Sequence, residues 1–265
     1  MKLTANLSLM YLERPFLKRF EAARKDGFTA VEIQFPYDTP LADVQRALND
    51  AGQRCVLINV PAGDLMQGGE GLAAVPGKQA EYAASLVECL AYARALKVSC
   101  VNVLPGRCHD DRQRNCYLDT FKTNLVKTAE TLAPFGITTT FEAINTRDMP
   151  GFLISSSQQM FDIMRQLDKA DIIKAQFDVY HMAQMGEDVC DVITRNAEHI
   201  GHIQFADTPN RGEPGTGDLD FQAIFQAIET SGYKGWVGAE YKPTALTSDT
   251  LGWKNELASA VAQCS

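Results

Sequence analysis

Eight short β-rich runs alternate with longer helical patterns from one end of this chain to the other, and that alternation limits the possible folds to very few. The runs are LTANLSL (3–9), AVEIQF (30–35), RCVLINV (54–60), SCVNVL (99–104), ITTTFEA (137–143), IKAQFDV (173–179), HIQFA (202–206) and WVGAEY (236–241). Between the first two, FLKRFEAARKDG (16–27) sets Phe16, Phe20 and Ala23 on one face and closes on Gly27, as a helix C-terminus does. KQAEYAASLVECLAYARAL (78–96) is the longest helical stretch, and FQAIFQAIETSG (221–232) again ends on Gly. Strands interleaved with helices pair in parallel through βα units. Eight such units at ~31 residues each make a (β/α)8 TIM barrel, and 265 residues hold one without leftover segments. The expectation is an α/β chain forming one TIM-barrel domain over 1–265. A Rossmann-type sheet is the alternative, but ANLSLMYLERP (5–15) follows the first strand where a GxGxxG turn would stand. No Pro- or Ser-rich linker divides the chain.

Composition narrows the function. Hydrophobic residues make up 45% and charged residues 22%, enough apolar surface for a large core. The net charge of −8 repels polyanions, which argues against nucleic acid as the partner. The N-terminus meets Glu13 and Arg14 early and reads as a first strand rather than a signal peptide. No run approaches the ~18 apolar residues of a membrane span. Seven cysteines (55, 89, 100, 108, 116, 190, 264) are odd in number and form no CxxC pair. Cys55 and Cys100 read as buried inert thiols, and the expectation is a reduced, cytoplasmic protein.

Chemistry in such a barrel gathers at the C-terminal ends of the strands. Strand 5 ends in Glu142, strand 6 in Asp178 and strand 8 in Glu240, while strand 7 carries Gln204. Each follows the last by about one βα unit, so four oxygen-bearing side chains converge on one point. Three carboxyls and an amide form a hard-oxygen donor set suited to Mg²⁺ or Mn²⁺. Without a cation they would repel, and some would stay protonated. Taken singly, each reads equally well as a loop cap or an ion-pair partner. Glu32 also ends a strand and could pair with Arg or Lys.

His181 lies three residues past Asp178 and either contacts a ligand or is satisfied by backbone. His202 shares the parity of Gln204 and reads as core. Arg211, on the loop after strand 7, and Lys242, just past Glu240, are candidate partners for a substrate carboxylate; Arg211 could instead pair with Glu213 or another acid. GGEG (68–71) and PGTG (214–217) read as turns rather than phosphate cradles. Cys108, His109 and Cys116 have no standard zinc spacing. Residues 61–77, rich in Gly and Pro, are a candidate lid.

Several longer stretches carry a resemblance. ANLSLMY (5–11), FPYD (35–38), PAGD (61–64), FEAIN (141–145) with PGF (150–152), YHM (180–182), ADTPNRGEPGTG (206–217) and GWVGAEYKP (235–243) resemble the hydroxypyruvate isomerase family of the xylose-isomerase-like TIM-barrel superfamily. The resemblance covers essentially the whole chain. It implies that Glu142, Asp178, Gln204 and Glu240 bind a divalent metal, that Glu142 and Glu240 move the proton, and that His181 and Arg211 touch substrate. FEAIN lacks the proline expected after the glutamate, and NVLPG (102–106) is not the commonest form of strand 4.

The implied activity interconverts hydroxypyruvate and 2-hydroxy-3-oxopropanoate (tartronate semialdehyde) through a metal-stabilised enediolate. A 2-oxo-tetronate isomerase, or a related sugar-acid isomerase or epimerase, is the alternative within the family. A sugar-acid binding protein without turnover is a third reading, against which the Glu142/Glu240 pair stands. Abasic-site endonucleases share the barrel but hold zinc through several histidines. Here Leu104, Gln204 and Gly212 stand at positions where that pattern has histidine, and the chain has only four histidines. The expected partner is a small 2-oxo or hydroxy acid, with no nucleic acid and no membrane, and homo-oligomers remain open. An arginine locked on Glu142 or Glu240 with no cavity beside it would count against the isomerase reading.

Overall fold

Polar residues at every second position of β-branched and aromatic runs give each strand two unlike faces, and closure into a barrel buries both. In the computed structural model, which describes residues 1–255 and 257, eight parallel strands close in sequence order with β1 (Lys2–Asn6) against β8 (Trp236–Ala239). Between them lie β2 (Ala30–Ile33), β3 (Arg54–Asn59), β4 (Cys100–Val103), β5 (Thr138–Glu142), β6 (Ile173–Asp178) and β7 (Ile200–Phe205). The expected strands are all present, shorter by a residue or more at most ends. Outside them run α1 (Phe16–Lys25), α2 (Leu41–Asp50), α3 (Gln79–Leu96), α4 (Arg114–Leu132), α5 (Ser157–Leu167), α6 (Val179–Gln184), α7 (Val189–Asn196) and α8 (Phe221–Thr230).

The core is the layer between strands and helices. Phe141 of β5 packs edge-on against Phe121 of α4, with ring centroids 5.7 Å apart. Phe205 of β7 meets Phe221 and Phe225 of α8 at 5.8 and 5.5 Å, and Trp253 at 5.2 Å. In α1, Phe20 and Ala23 are fully buried and Phe16 is packed partly against them, as the expected shared face requires. The barrel interior divides by depth. Ala30, Val56, Leu57 and Cys100, with half-buried Trp236, fill its lower end, and buried polar side chains such as Asn6, Glu32, Asn102, Gln176 and His202 lie above them.

Register fixes which polar residues are neighbours. Asn6 lies beside Glu32, Asn102 beside Thr140, Glu142 beside Gln176, Asp178 beside Gln204, and Gln204 beside Gly238. Gly238 leaves room for its neighbour: a Cβ there would run into the Glu32 carboxyl. Among the described residues no helix is long and apolar enough to cross a membrane. The six described cysteines are free, and Cys264 lies outside the described residues. Burial pushes the Cys55 and Cys100 thiols up to about 12, in keeping with inert core thiols.

Candidate active site

The C-terminal strand ends bring Glu142, Asp178, Gln204 and Glu240 together, each at most 4% exposed. Above them is a cavity of about 120 Å³ whose polar wall includes Gln34, Asn59, Glu142, Asp148, Gln176, His181, Arg211 and Glu240, with Phe35, Met66, Leu104, Ile144 and Met149 as its apolar wall. Buried carboxyls need donors, and amides from neighbouring strands supply them. Asn102 and Gln176 donate to Glu142 Oε2 at 3.1 and 3.0 Å. Asn6 and Gln34 donate to Glu240 Oε1 at 2.7 and 2.9 Å. Asp178 Oδ1 caps α6 by accepting the N–H of Tyr180 (2.8 Å) and His181 (3.3 Å), while its Oδ2 is buried without a hydrogen-bond partner.

Arg211 enters from the β7 loop, and its Nη2 lies 2.5 Å from Glu240 Oε2 and 3.5 Å from Asp178 Oδ2. Its partners are therefore site carboxyls and not Glu213, which binds Thr244. The Arg211 backbone sits at φ +59°, a conformation costing ~1–2 kcal/mol for a residue with a side chain. The loop holds it there. Asp207 accepts the N–H of Thr208, Gly215, Gly217 and Leu219, and Lys242 N–H donates to Arg211 C=O at 2.7 Å. PGTG is thus a turn folded onto a carboxyl. Lys242 reaches the site only through this backbone bond, since its side chain is exposed and not part of the cavity wall.

A second polar layer lies beneath. Glu32 accepts from His202 Nε2 or shares its proton at 2.6 Å, and accepts from Gln204 Nε2 (2.6 Å) and Asn6 Nδ2 (3.0 Å). Its partners are one histidine and two amides, rather than the Arg or Lys that the sequence allowed. His202 is buried, as expected. Gln204 Oε1 accepts from Gln176. The segment proposed as a lid is tied down: Arg107 donates to the Leu65 and Gly69 carbonyls at 2.7 and 2.8 Å, and Gly71 N–H donates to Asp64 at 2.8 Å. Only its Met66 reaches the cavity wall.

Burial and mutual repulsion set the protonation. Burial raises Glu142 far above its ordinary value, helped by the charges of Glu240 and Asp178. Burial also raises Asp178, against the pull of Arg211, and pushes Glu240 up to about 7, again against Arg211. His181 is driven well below its ordinary value by burial and by Arg211. Three crowded acids, one with an orphaned oxygen, fit a cation. Among the described residues, Glu142, Asp178 and His181 form the one group of three His, Cys, Asp or Glu side chains with ligand atoms within 4.8 Å of each other. Cys108, His109 and Cys116 form no such group. Asn6, Gln34, Asn102, Gln176 and Asn145 were not singled out from sequence; their signal is an amide placed inside an otherwise apolar run or at its edge.

The xylose isomerase-like TIM barrel family model matches residues 20–259. The 2-oxo-tetronate isomerase of Cupriavidus necator is 39% identical over 95% of this chain and 96% of its own length. The hydroxypyruvate isomerase of Escherichia coli is 37% identical over 96% and 98%. A crystal structure titled AP endonuclease, family 2, from Brucella melitensis superposes with a TM-score of 0.91 at 35% identity, covering 96% of this chain and 98% of that one. The chain belongs to the xylose isomerase-like TIM barrel family, among relatives named hydroxypyruvate isomerase and 2-oxo-tetronate isomerase.

Proposed function

We propose that this protein is an isomerase of small 2-oxo acids that interconverts hydroxypyruvate and 2-hydroxy-3-oxopropanoate. The observation that carries the reading is a pair of buried glutamates on one small cavity, each wired by amides and only one of them held by an arginine. Going forward, C3 of hydroxypyruvate loses a proton, C2 gains one, and the hydroxyl proton passes from one oxygen to the other. Glu142 and Glu240 serve as the two carbon-side proton carriers. Burial raises both carboxyls, and Arg211 touches Glu240 alone; we assign one of the pair to give a proton and the other to take it. A base near pH 7 suits such transfer, worth about 10²–10⁴-fold. Arg211, whose Nε is buried and unpartnered, is the cation placed to meet the substrate carboxylate.

Glu142, Asp178, Gln204 and Glu240 would hold a divalent ion, Mg²⁺ or Mn²⁺ by the hardness of their oxygens. Bound there, such an ion supplies Lewis-acid polarisation of adjacent carbonyl and hydroxyl oxygens. The 39% identical 2-oxo-tetronate isomerase favours a second reading, a four-carbon 2-oxo acid at the same residues. The net charge of −8 and the single cation lining the cavity favour a small acid over nucleic acid, and we place the protein in the cytoplasm. The test is solvent-deuterium uptake followed by NMR over a panel of three- and four-carbon 2-oxo acids, with and without Mg²⁺ or Mn²⁺. No uptake into any member, with metal present, would refute the isomerase reading.

A further inference from the structure

Hydrogen-bond polarity around Asn145 locates a proton in the site. Asn145 Oδ1 accepts the backbone N–H of Arg147 at 3.0 Å and of Asp148 at 2.8 Å. Backbone amides only donate, so this end of the side chain is its oxygen. The Nδ2 end faces Asp148 Oδ2 at 3.1 Å and His181 Nδ1 at 2.7 Å. Asp148 Oδ2 also accepts from Tyr180 OH at 2.7 Å. Inverting the amide would set an NH₂ against two N–H donors and an oxygen against the Asp148 carboxyl. Asn145 is fully buried, where an unmet polar group costs about 1–3 kcal/mol. Nδ2 therefore donates to His181 Nδ1, which must present a lone pair. An imidazole with bare Nδ1 is neutral and carries its proton on Nε2.

We propose that Asn145 is a positioning residue that fixes His181 in the Nε2–H form, making His181 a hydrogen-bond donor to a bound substrate oxygen and keeping it out of the cation's ligand set. Nε2 is 3.6 Å from Asp178 Oδ2 and 3.9 Å from Glu142 Oε1, beyond hydrogen-bond reach of both. The ring lines the cavity, so its N–H is available to an oxygen placed there. A neutral imidazole can polarise a carbonyl through that bond without surrendering its proton. The close approach of Glu142, Asp178 and His181 would suit a cation if Nε2 were bare. That requires the proton on Nδ1, which the orientation of Asn145 forbids. Only the mention of substrate rests on the isomerase reading; the tautomer does not.

The experiment is long-range ¹H–¹⁵N NMR on protein labelled with ¹⁵N-histidine, without and with saturating Mg²⁺. The His181→Gln spectrum assigns the His181 signals among the four histidines. The expected result is a proton directly bonded to Nε2 and none on Nδ1, unchanged by Mg²⁺. A proton on Nδ1, or loss of the Nε2 proton on adding Mg²⁺, overturns the proposal. Asn145→Asp places an acceptor against Nδ1 and is expected to reverse the tautomer and tighten Mg²⁺ about tenfold by calorimetry; an unchanged tautomer in the folded variant overturns the role of Asn145. If that variant fails to fold beside Asp148, the unsubstituted protein's spectrum still decides. His181→Gln is expected to bind Mg²⁺ within about twofold of the parent, and a loss of about tenfold or more would make His181 a ligand. The expected tautomer without any deuterium uptake would strike only the isomerase reading, whereas the reversed tautomer with full uptake would strike only this proposal.

Discussion

The outward and inward faces of β5 to β8 have opposite chemistry at adjacent residues. Phe141, Phe177 and Phe205 point out into the helix layer, fully buried among rings and aliphatic chains. Their neighbours Glu142, Asp178 and Gln204 point in, buried almost as deeply but bonded to amides, an arginine and the Glu32 carboxyl. Interiors of such barrels are usually layered with branched apolar residues. Here only the lower end is. The helix-facing layer gains ~25 cal/mol for each Å² of apolar surface withdrawn from water, whereas the inner layer pays desolvation and recovers it only in part through hydrogen bonds. One layer makes the protein stable, and the other makes it reactive at some cost in stability.

The sharpest way to break that comparison is to neutralise an inner carboxyl. Glu142→Gln preserves shape and leaves an oxygen to accept from Asn102 and Gln176, but it cannot carry a proton. Turnover should fall at least 10²–10⁴-fold, and Glu240→Gln should behave alike. The melting temperature of cation-free Glu142→Gln should hold or rise, because a buried acid that folding forces to hold a proton is replaced by a neutral amide. Near-normal turnover, or a large fall in stability, would mean that the inner layer is not built for chemistry.

The helix-facing layer should respond in the reverse sense. Phe205 touches three aromatic rings, and Phe205→Ala should cost about 3–5 kcal/mol in urea unfolding. Activity per folded molecule should stay within a few-fold. A selective loss of turnover without loss of stability would show that the two layers are coupled.

That division was legible in sequence to the extent that it is a matter of parity. Strand number, order and the inward parity of Glu142, Asp178 and Gln204 follow from two-residue alternation and βα spacing. What alternation cannot express is which neighbour a polar side chain meets across the barrel. Glu32 is paired by His202, 170 positions away, and Glu240 by Asn6, 234 away; these are consequences of closure between β8 and β1. The Arg211 pairing depended on a left-handed backbone position inside an irregular loop, for which no sequence period exists. Lys242 was placed near the site by its position two residues past Glu240, but β8 ends at Ala239, so strand parity no longer holds there and the side chain lies in solvent.

The inner layer's cost should also be visible as a pH dependence. Glu142, Asp178 and Glu240 bind protons more tightly folded than unfolded, where carboxyls titrate near 4 to 4.5. Their contribution favours the folded state at low pH and is lost as pH rises through their folded values, up to about 7 for Glu240. His181, lowered by burial, opposes this below its ordinary 6.5, but it is one group against three. Cation-free protein should therefore lose stability as pH rises from about 5 to 7.5. Mg²⁺ should restore it, by about 2.7 kcal/mol at a hundredfold excess over Kd, and more at pH 7.5 than at pH 5. Melting curves in chelator and in Mg²⁺ at both pH values measure this, and equal Mg²⁺ shifts at the two would detach the cation from these acids.

The smallest effect expected is at Lys242, which sits beside Glu240 in sequence yet belongs to neither layer. Its N–H fastens the Arg211 carbonyl, a bond that any residue except proline can make. Lys242→Ala should change stability by no more than about 0.5 kcal/mol and leave kcat/KM for hydroxypyruvate within about twofold, because screened exposed charges contribute little. Arg211→Lys, by contrast, keeps a charge but loses the planar guanidinium whose Nη2 lies between Glu240 and Asp178, and should cost more than Lys242→Ala in the same assay. If removing the Lys242 side chain lowered kcat/KM tenfold with KM carrying the change, the ammonium group would have to swing over the cavity in the bound state, and the boundary between the reactive layer and the surface would move outward to include it.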